Sequence, residues 1–426
     1  MYSVYRQAAL AIRRQYSKSE IISNQNKKLR TLIHYCYNNI KYYRELFETY
    51  NIKPENINSA EDLKNIPFLT KEQLRNRFWD FLPRRLPPCR VSRTSGSSGV
   101  PVCLLSDNSS KIFNSAAVIR YRKPLGIHPL YGPILTPLKN ESEPDKKPQW
   151  TFIQGIHKTY YINPYKQSTE NIEYAEKLSA KLRHPAIIGI TPAIKTLAYK
   201  INDGIFPPFK PSVVLTSGES LEPQHRQLIE NTFRCKVADI YACNEAGDIA
   251  WQCEMCNAYH INTENVIVEI INQRKTQKPE QVGEVVITNL NRYAMPIIRY
   301  KNGDLAAMSN QRCSCTRELP LLKNIAGRTG EDIIAPDGRK LPWNQMKSLM
   351  NHPRIRQFQI VQQKDAGLLV KFVSEKNTAT TKLESLLLSR YRRLLGNNMT
   401  IRFEKVEKIP PAPSGKTKLV ISHYKK

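Results

Sequence analysis

No stretch of this 426-residue chain approaches the roughly 18 consecutive apolar residues that a membrane-spanning helix needs. Met1 to Arg14 contain only a short apolar patch, Ala8 to Ile12, and do not read as a secretory signal. Together these absences make a cytoplasmic location the default. Acidic residues are scarce, with 37 Asp and Glu against 65 Lys and Arg, a net charge of +28. The surplus is uneven: residues 351–426 carry sixteen basic and five acidic side chains, or +11. Such charge can attract nucleic acid, an anionic membrane surface or a polyphosphate. No DNA- or RNA-binding motif accompanies it, so it reads as solvated basic surface, and nucleic acid is not an expected partner. Internal repeats and low-complexity tracts are missing too. What remains, 40% hydrophobic and 24% charged residues, describes a globular chain long enough for two or more domains.

Apolar residues at three- and four-residue steps, Leu29, Leu32, Ile33, Cys36, Ile40, Tyr43 and Phe47, predict an amphipathic helix over 27–48. Ser59 and Thr70, each followed by acidic or amide residues, predict helix starts. The basic, proline-rich segment 82–93 leads into a Ser/Gly-rich stretch, and the polar residues 139–149 read as an exposed loop. Strands and helices then alternate: strand 186–190, helix 191–200, strand 213–215, helix 223–233, strand 237–241. That order implies a mainly parallel sheet covered by helices. Residues 266–271 and 284–289 alternate like antiparallel strands. The expected boundary falls at Gly327 to Asp332, which leaves about 95 residues for a small α+β domain.

Several short motifs follow in a fixed order. Thr94-Ser95-Gly96-Ser97-Ser98-Gly99-Val100-Pro101 comes first, then Ser217-Gly218-Glu219 and Tyr241-Ala242-Cys243-Asn244-Glu245. Arg299 to Asp304, Gly327-Arg328 and Ser414-Gly415-Lys416 complete the series. A loop rich in hydroxyls and glycines offers N–H and O–H donors at close range, as a triphosphate requires. It lacks the Gly-Lys-Ser/Thr ending of an ordinary P-loop, which excludes that class. A later Glu can hold a metal on phosphates, an Asp can accept ribose hydroxyls, and a Lys can meet developing negative charge. The order points to ATP-dependent activation of a carboxylate.

Nine cysteines include Cys253-x-x-Cys256 and Cys313-x-Cys315, a spacing that suggests metal before disulfide. With His260 they supply enough soft donors for a closed, tetrahedral, structural Zn²⁺ site. Cys256 and His260 compete for the fourth place. The remaining histidines, and the Tyr-rich segment 35–43, carry no assigned role; the latter reads as a packing face.

These motifs resemble the adenylate-forming superfamily. Within it, Tyr42 to Phe47, Asp62 to Pro67 with Thr70-Lys71, Asn262 to Glu269, Gly283 to Leu290 and Met295 to Tyr300 are similar to the phenylacetate–CoA ligase branch and its capsule-biosynthesis relatives. The likeness runs from about residue 28 to the C-terminus. It implies an α/β fold: a large N-terminal domain, 1–327, with mixed sheets, helices and a small β-rich subdomain, and a small α+β C-terminal lid, 328–426. It implies that Thr94, Ser95, Gly96, Ser97, Ser98 and Gly99 form the phosphate loop. Ser217, Gly218 and Glu219 would line the adenine site, with Tyr241 against the ring. Glu245 would bind Mg²⁺, Asp304 would accept the ribose hydroxyls with Arg328 nearby, and Lys416 would stabilise the adenylation transition state. Relatives in this branch carry a Cys/His pair matching Cys253 and His260 and a Cys-x-Cys matching Cys313 and Cys315.

The implied reaction joins a small carboxylic acid to AMP with release of pyrophosphate, after which CoA takes the acyl group. An amine or a sugar hydroxyl is the alternative acceptor, a non-catalytic polyanion-binding protein the alternative class, and a homodimer is left open. Two departures stand out. The family's Tyr-Gly-x-Thr/Ser-Glu appears here with Ala242 and Asn244, and the acid expected at the hinge is Gly330, followed by Glu331 and Asp332.

Overall fold

The structure, a computed structural model, describes residues 17–424 apart from 94–101, 123, 128–130, 152–155, 273–274, 316, 329–331, 342, 353, 376–377 and 411–418. It divides into two compact units, Met1–Ile325 and Ala326–Lys426. The architecture is the mixed α/β type expected of an adenylate-forming ligase, with a small C-terminal unit.

The helix expected over 27–48 is two helices. The first, Lys18–Asn39, starts at Ser17, whose hydroxyl and the Glu20 carboxylate form a capping box. It stops at Ile40, which is extended (φ −113°, ψ 115°) and pairs with Pro83. A second helix, Lys41–Thr49, then follows. Periodicity ran straight through the break because Ile40 is itself fully buried. Thr70 caps Lys71–Asn76 as expected, whereas Ser59 caps a short 3₁₀ turn, Ala60–Asn65. Leu29, Leu32, Ile33 and Cys36 pack with Leu290, Met295, Ile297 and Ile298 in one core. Each such buried side chain contributes on the order of 1.5–3 kcal/mol. This layer therefore fixes the segment that runs into Tyr300.

Among the described residues, thirteen strands join in one sheet. Its parallel part comprises Ile156–Ile162, Tyr131–Pro137, Ala186–Ile190, Val213–Ser217 and Lys236–Cys243, adjacent in that order. Helices Thr191–Asn202 and Pro223–Phe233 connect the last three of these strands, and buried Ile194, Leu197 and Ile229 cover the sheet. Antiparallel strands follow: Gly247–Gln252 on Lys236–Cys243, Tyr259–Ile261 on Gly247–Gln252, and Val266–Asn272 on Gly283–Asn289. The strand Tyr300–Ser309 pairs in turn with Gly283–Asn289.

The second unit has its own core, including Phe358, Ile360, Val370, Phe372, Leu387 and Tyr391. A four-stranded sheet, ordered Ile401–Lys405, Leu368–Ser374, Ile355–Gln362, Val420–Ser422, packs with helix Thr380–Leu395.

Candidate functional site

Strand ends and turns of the first unit carry most of the expected residues. Ser217 ends a parallel strand, and Gly218 turns the chain at φ +83°, a conformation that favours glycine. Thr191, at the start of the neighbouring helix, fixes that turn. Its hydroxyl donates to the carbonyls of Ser217 (3.2 Å) and Glu219 (3.0 Å). The carboxyl ends of parallel strands, where the order of an open α/β sheet leaves a crevice, are the usual place for a nucleotide.

Tyr241 lies near the end of the adjacent strand, and its hydroxyl donates to Asp304 Oδ2 at 2.8 Å. Asn302 braces both: its amide donates to the Tyr241 hydroxyl (2.7 Å) and to Asp304 Oδ2 (2.8 Å), while the Asp304 N–H donates back to Asn302 Oδ1 (3.0 Å). Gly303, between them, has φ +81°. Burial, and secondarily the Asp304 charge, raise the Tyr241 phenol well above its ordinary range. It therefore stays protonated and remains a donor. Glu245 accepts from the Tyr300 hydroxyl at 2.9 Å. Its backbone is held from below, because buried Arg292 donates to the carbonyls of Asn244 (3.0 Å) and Glu245 (2.7 Å). Asn244 lies beside Glu245 in this turn and is exposed.

Arg299 has a different job. It is 3% exposed, adopts φ +51°, grips both oxygens of Glu269 (2.8 and 3.1 Å) and donates to Ile66 O (2.6 Å). This makes it a brace for the N-terminal layer.

Thr94, Ser95, Gly96, Ser97, Ser98 and Gly99 lie outside the described residues, as do Lys416, Gly330 and Glu331. The strands that flank the first group, Cys89–Arg93 and Cys103–Asp107, pair antiparallel with Arg93 opposite Cys103. Arg328 ends the strand Leu321–Arg328, but its side chain is likewise outside the description. The structure thus brings together Tyr241, Asp304, Glu245 and the Ser217–Glu219 turn. Asn302, Tyr300, Thr191 and Arg292 were missed in the sequence. Asn302 and Tyr300 sit inside a recognised motif; the others carry no signal beyond position.

The cysteine cluster converges. Donor atoms of Cys253, His260, Cys313 and Cys315 lie within 4.8 Å of one another. The Cys253 and Cys313 sulfurs are 3.4 Å apart, and His260 Nε2 is 3.1 Å from Cys315 Sγ. Cys256 stands beside this set with its thiol towards the Ala258 carbonyl at 3.9 Å. Burial, then the Arg317 charge, push His260 down to about 4, so its imidazole is neutral at physiological pH. Three thiols and a neutral imidazole at this separation fit a tetrahedral divalent ion.

Residues 333–423 match the CapK C-terminal domain family. Across 97% of its length the chain is 23% identical to Protein CapK of Staphylococcus aureus, covering 92% of that protein. It is 26% identical to a phenylacetate–coenzyme A ligase of Thermus thermophilus over 81% of this chain and 78% of the relative. Over most of its length the chain is thus similar to proteins named for CapK and for phenylacetate–coenzyme A ligase. Among solved structures, 2-hydroxyisobutyryl-CoA ligase in the postadenylation state superposes with a TM-score of 0.77 at 18% identity, covering 93% of this chain and 88% of that one. A likeness at that identity concerns the fold. Among the described residues, no helix is long and apolar enough to cross a membrane.

Proposed function

We propose that this protein is an ATP-dependent acid–thiol ligase. It couples a carboxylic acid to AMP, releases pyrophosphate, and then passes the acyl group to CoA with release of AMP. The observation that carries the reading is the linkage of Tyr241, Asn302 and Asp304 beside Glu245 and Tyr300. Those groups are what a ribose, an adenine ring and a metal–phosphate require, in the relative order the superfamily uses.

A carboxylate is a weak nucleophile towards phosphorus, and its approach to the α-phosphate brings two anions together. Positioning and charge neutralisation therefore carry the first half-reaction. Asp304, steadied by Asn302, orients the ribose. Tyr241 presents an aromatic face beside it, and the turn at Ser217–Glu219 closes over the base. Glu245 would hold Mg²⁺, whose charge would neutralise phosphate oxygens. Thr94 to Gly99 supply hydroxyl and amide donors to the same phosphates, and Lys416 offsets the charge that develops at the α-phosphate. In this reading residues 1–327 bind acid and nucleotide, and 328–426 form the lid. Cys253, His260, Cys313 and Cys315 would hold a structural Zn²⁺, which would tie two loops together.

The match of residues 333–423 to a CapK domain keeps a second acceptor in view, an amine or a sugar hydroxyl. One experiment addresses both readings. Purified protein is incubated with a panel of acids, ATP and Mg²⁺, with and without CoA. Pyrophosphate release and hydroxamate trapping report the adenylate, and mass spectrometry reports the thioester. Adenylate without thioester for the same acid selects the second acceptor. Absence of both from a broad panel overturns the ligase reading.

A further inference from the structure

Three consecutive carbonyls, those of Asn244, Glu245 and Ala246, are held by side chains from one distant segment. Arg292 Nη1 donates to the first two at 3.0 and 2.7 Å, and Asn289 Nδ2 donates to the third at 3.0 Å. The same guanidinium donates through Nε to the carbonyl of Leu105 at 2.8 Å. Leu105 belongs to Cys103–Asp107, the strand that follows the Ser/Gly-rich stretch. The next two residues reinforce that link: the N–H groups of Tyr293 and Ala294 donate to Asp107 Oδ2 at 2.8 and 2.9 Å. Asp107 Oδ1 in turn accepts from the Ser110 N–H at 2.8 Å, at the start of helix Asn108–Arg122. Segment 289–294 is thus a clasp between the Glu245 turn and the strand and helix beyond residue 102.

Arg292 is 1% exposed, and its Nη2 has no partner among the described residues. Burying a cation whose partners are mostly neutral carbonyls is expensive, and an apolar residue of similar volume would fill the space at lower cost. A core-filling role therefore does not account for arginine here. The planar fork does: two of its nitrogens reach carbonyls on separate segments and hold them at a fixed spacing, which a flexible ammonium cannot reproduce.

We infer that Arg292 is a positioning residue for adenylation, setting the Glu245 carboxylate relative to strand Cys103–Asp107. This rests on the reading of Glu245 as a metal-holding group. A misplacement near 1 Å can lower rate by ~10².

The test uses the full-length protein and the variants Arg292→Lys and Arg292→Met. Amide hydrogen exchange should rise in both 103–107 and 243–247, with 333–423 unchanged as the internal reference. In pyrophosphate exchange, Arg292→Lys should raise the KM for MgATP about tenfold and lower kcat by roughly 10², while the KM for the acid moves less than twofold. A merely structural role would lower kcat in proportion to folded fraction and leave every KM unchanged. That outcome, or wild-type exchange in both segments, overturns the inference. If Arg292→Met does not fold, Arg292→Lys decides the matter through the KM split. If the wild type activates no acid, the ligase reading fails, while the exchange measurement still tests the clasp.

Discussion

Tyr241 and Asp304, 63 positions apart in sequence, share a 2.8 Å hydrogen bond in which the phenol donates to the carboxylate. The same carboxylate is the proposed ribose acceptor, so the Tyr241 hydroxyl stands at one of its oxygens before a nucleotide arrives. A hydrogen bond to a charged group is worth about 1.5–3 kcal/mol. Asp304→Ala should therefore raise the KM for ATP by roughly 10–100-fold. Tyr241→Phe keeps the ring and removes one donor from a carboxylate that Asn302 still holds, and should change that KM by no more than about threefold. Isothermal titration with a non-hydrolysable ATP analogue checks both. Equal losses in the two variants would show that the hydroxyl, rather than the ring, matters to binding.

Glu245 presents a related case. Tyr300 donates to one of its oxygens at 2.9 Å, and no hydrogen bond to the other is seen among the described residues. Glu245→Gln retains that bond and removes the charge. Pyrophosphate exchange should then need at least tenfold more Mg²⁺ to reach half its maximum. Tyr300→Phe should cost about 1 kcal/mol, or fivefold in rate, at saturating Mg²⁺. A Mg²⁺ titration unchanged in Glu245→Gln would remove Glu245 from the metal site.

What was legible in the sequence follows from what leaves a residue-type signature. Tyr241, Glu245 and Asp304, the proposed nucleotide-site residues, carry side chains of fixed chemistry at fixed spacing, and the motif order singled them out. The strands at 186–190, 213–217 and 236–243 were visible as short apolar runs at 186–190, 213–215 and 237–241 between helical patterns. Arg292 and Asn289 grip backbone carbonyls, and a carbonyl is the same at every residue, so no pattern announces its partner. Ile40 hid the helix break because it is apolar at a helical position while its backbone pairs elsewhere. The competition between Cys256 and His260 was undecidable by spacing alone. In space, His260 belongs to the four mutually close donors, while Cys256 reaches the Cys253 and Cys313 thiols beside it.

Lys416 is the residue proposed to offset charge at the α-phosphate, a task confined to the transition state. Lys416→Ala should therefore depress pyrophosphate exchange by ~10²–10³, on the order of 3–4 kcal/mol, with ATP affinity nearly intact. Exchange kinetics alongside nucleotide titration check this. A proportional loss of binding would make Lys416 a ground-state contact.

The metal site separates by single substitutions. Cys253→Ser and His260→Ala should each lower zinc content, measured by inductively coupled plasma mass spectrometry after purification without chelator, from about one per chain to well below half. Cys256→Ser should retain it. Structural zinc contributes apparent binding energies of about 10 kcal/mol, so chelation should also lower the melting temperature of the wild type. Zinc lost in Cys256→Ser but kept in His260→Ala would exchange the roles of those two residues.

Lys28 offers a pH test independent of catalysis. Its ammonium is partly buried, donates to Glu264 O (2.8 Å) and Asn291 Oδ1 (3.1 Å), and sits 4.0 Å from the Phe113 ring centre. Burial is the main cause that pushes it down to about 8 from 10.5, with Glu264 opposing the shift and Arg120 adding to it. Below pH 8 both folded and unfolded chains carry the proton, and the native state bears the full cost of the buried charge. Between pH 8 and 10.5 the native amine is neutral while the unfolded one still binds a proton, so that cost is progressively relieved. Relative to Lys28→Met, wild-type stability should rise by up to about 3 kcal/mol across this window and stay parallel below it. Urea denaturation of both proteins from pH 6 to 10.5 measures the difference. Parallel curves throughout would mean that the folded protein keeps Lys28 charged, with water or the Glu264 carboxylate supplying the missing solvation.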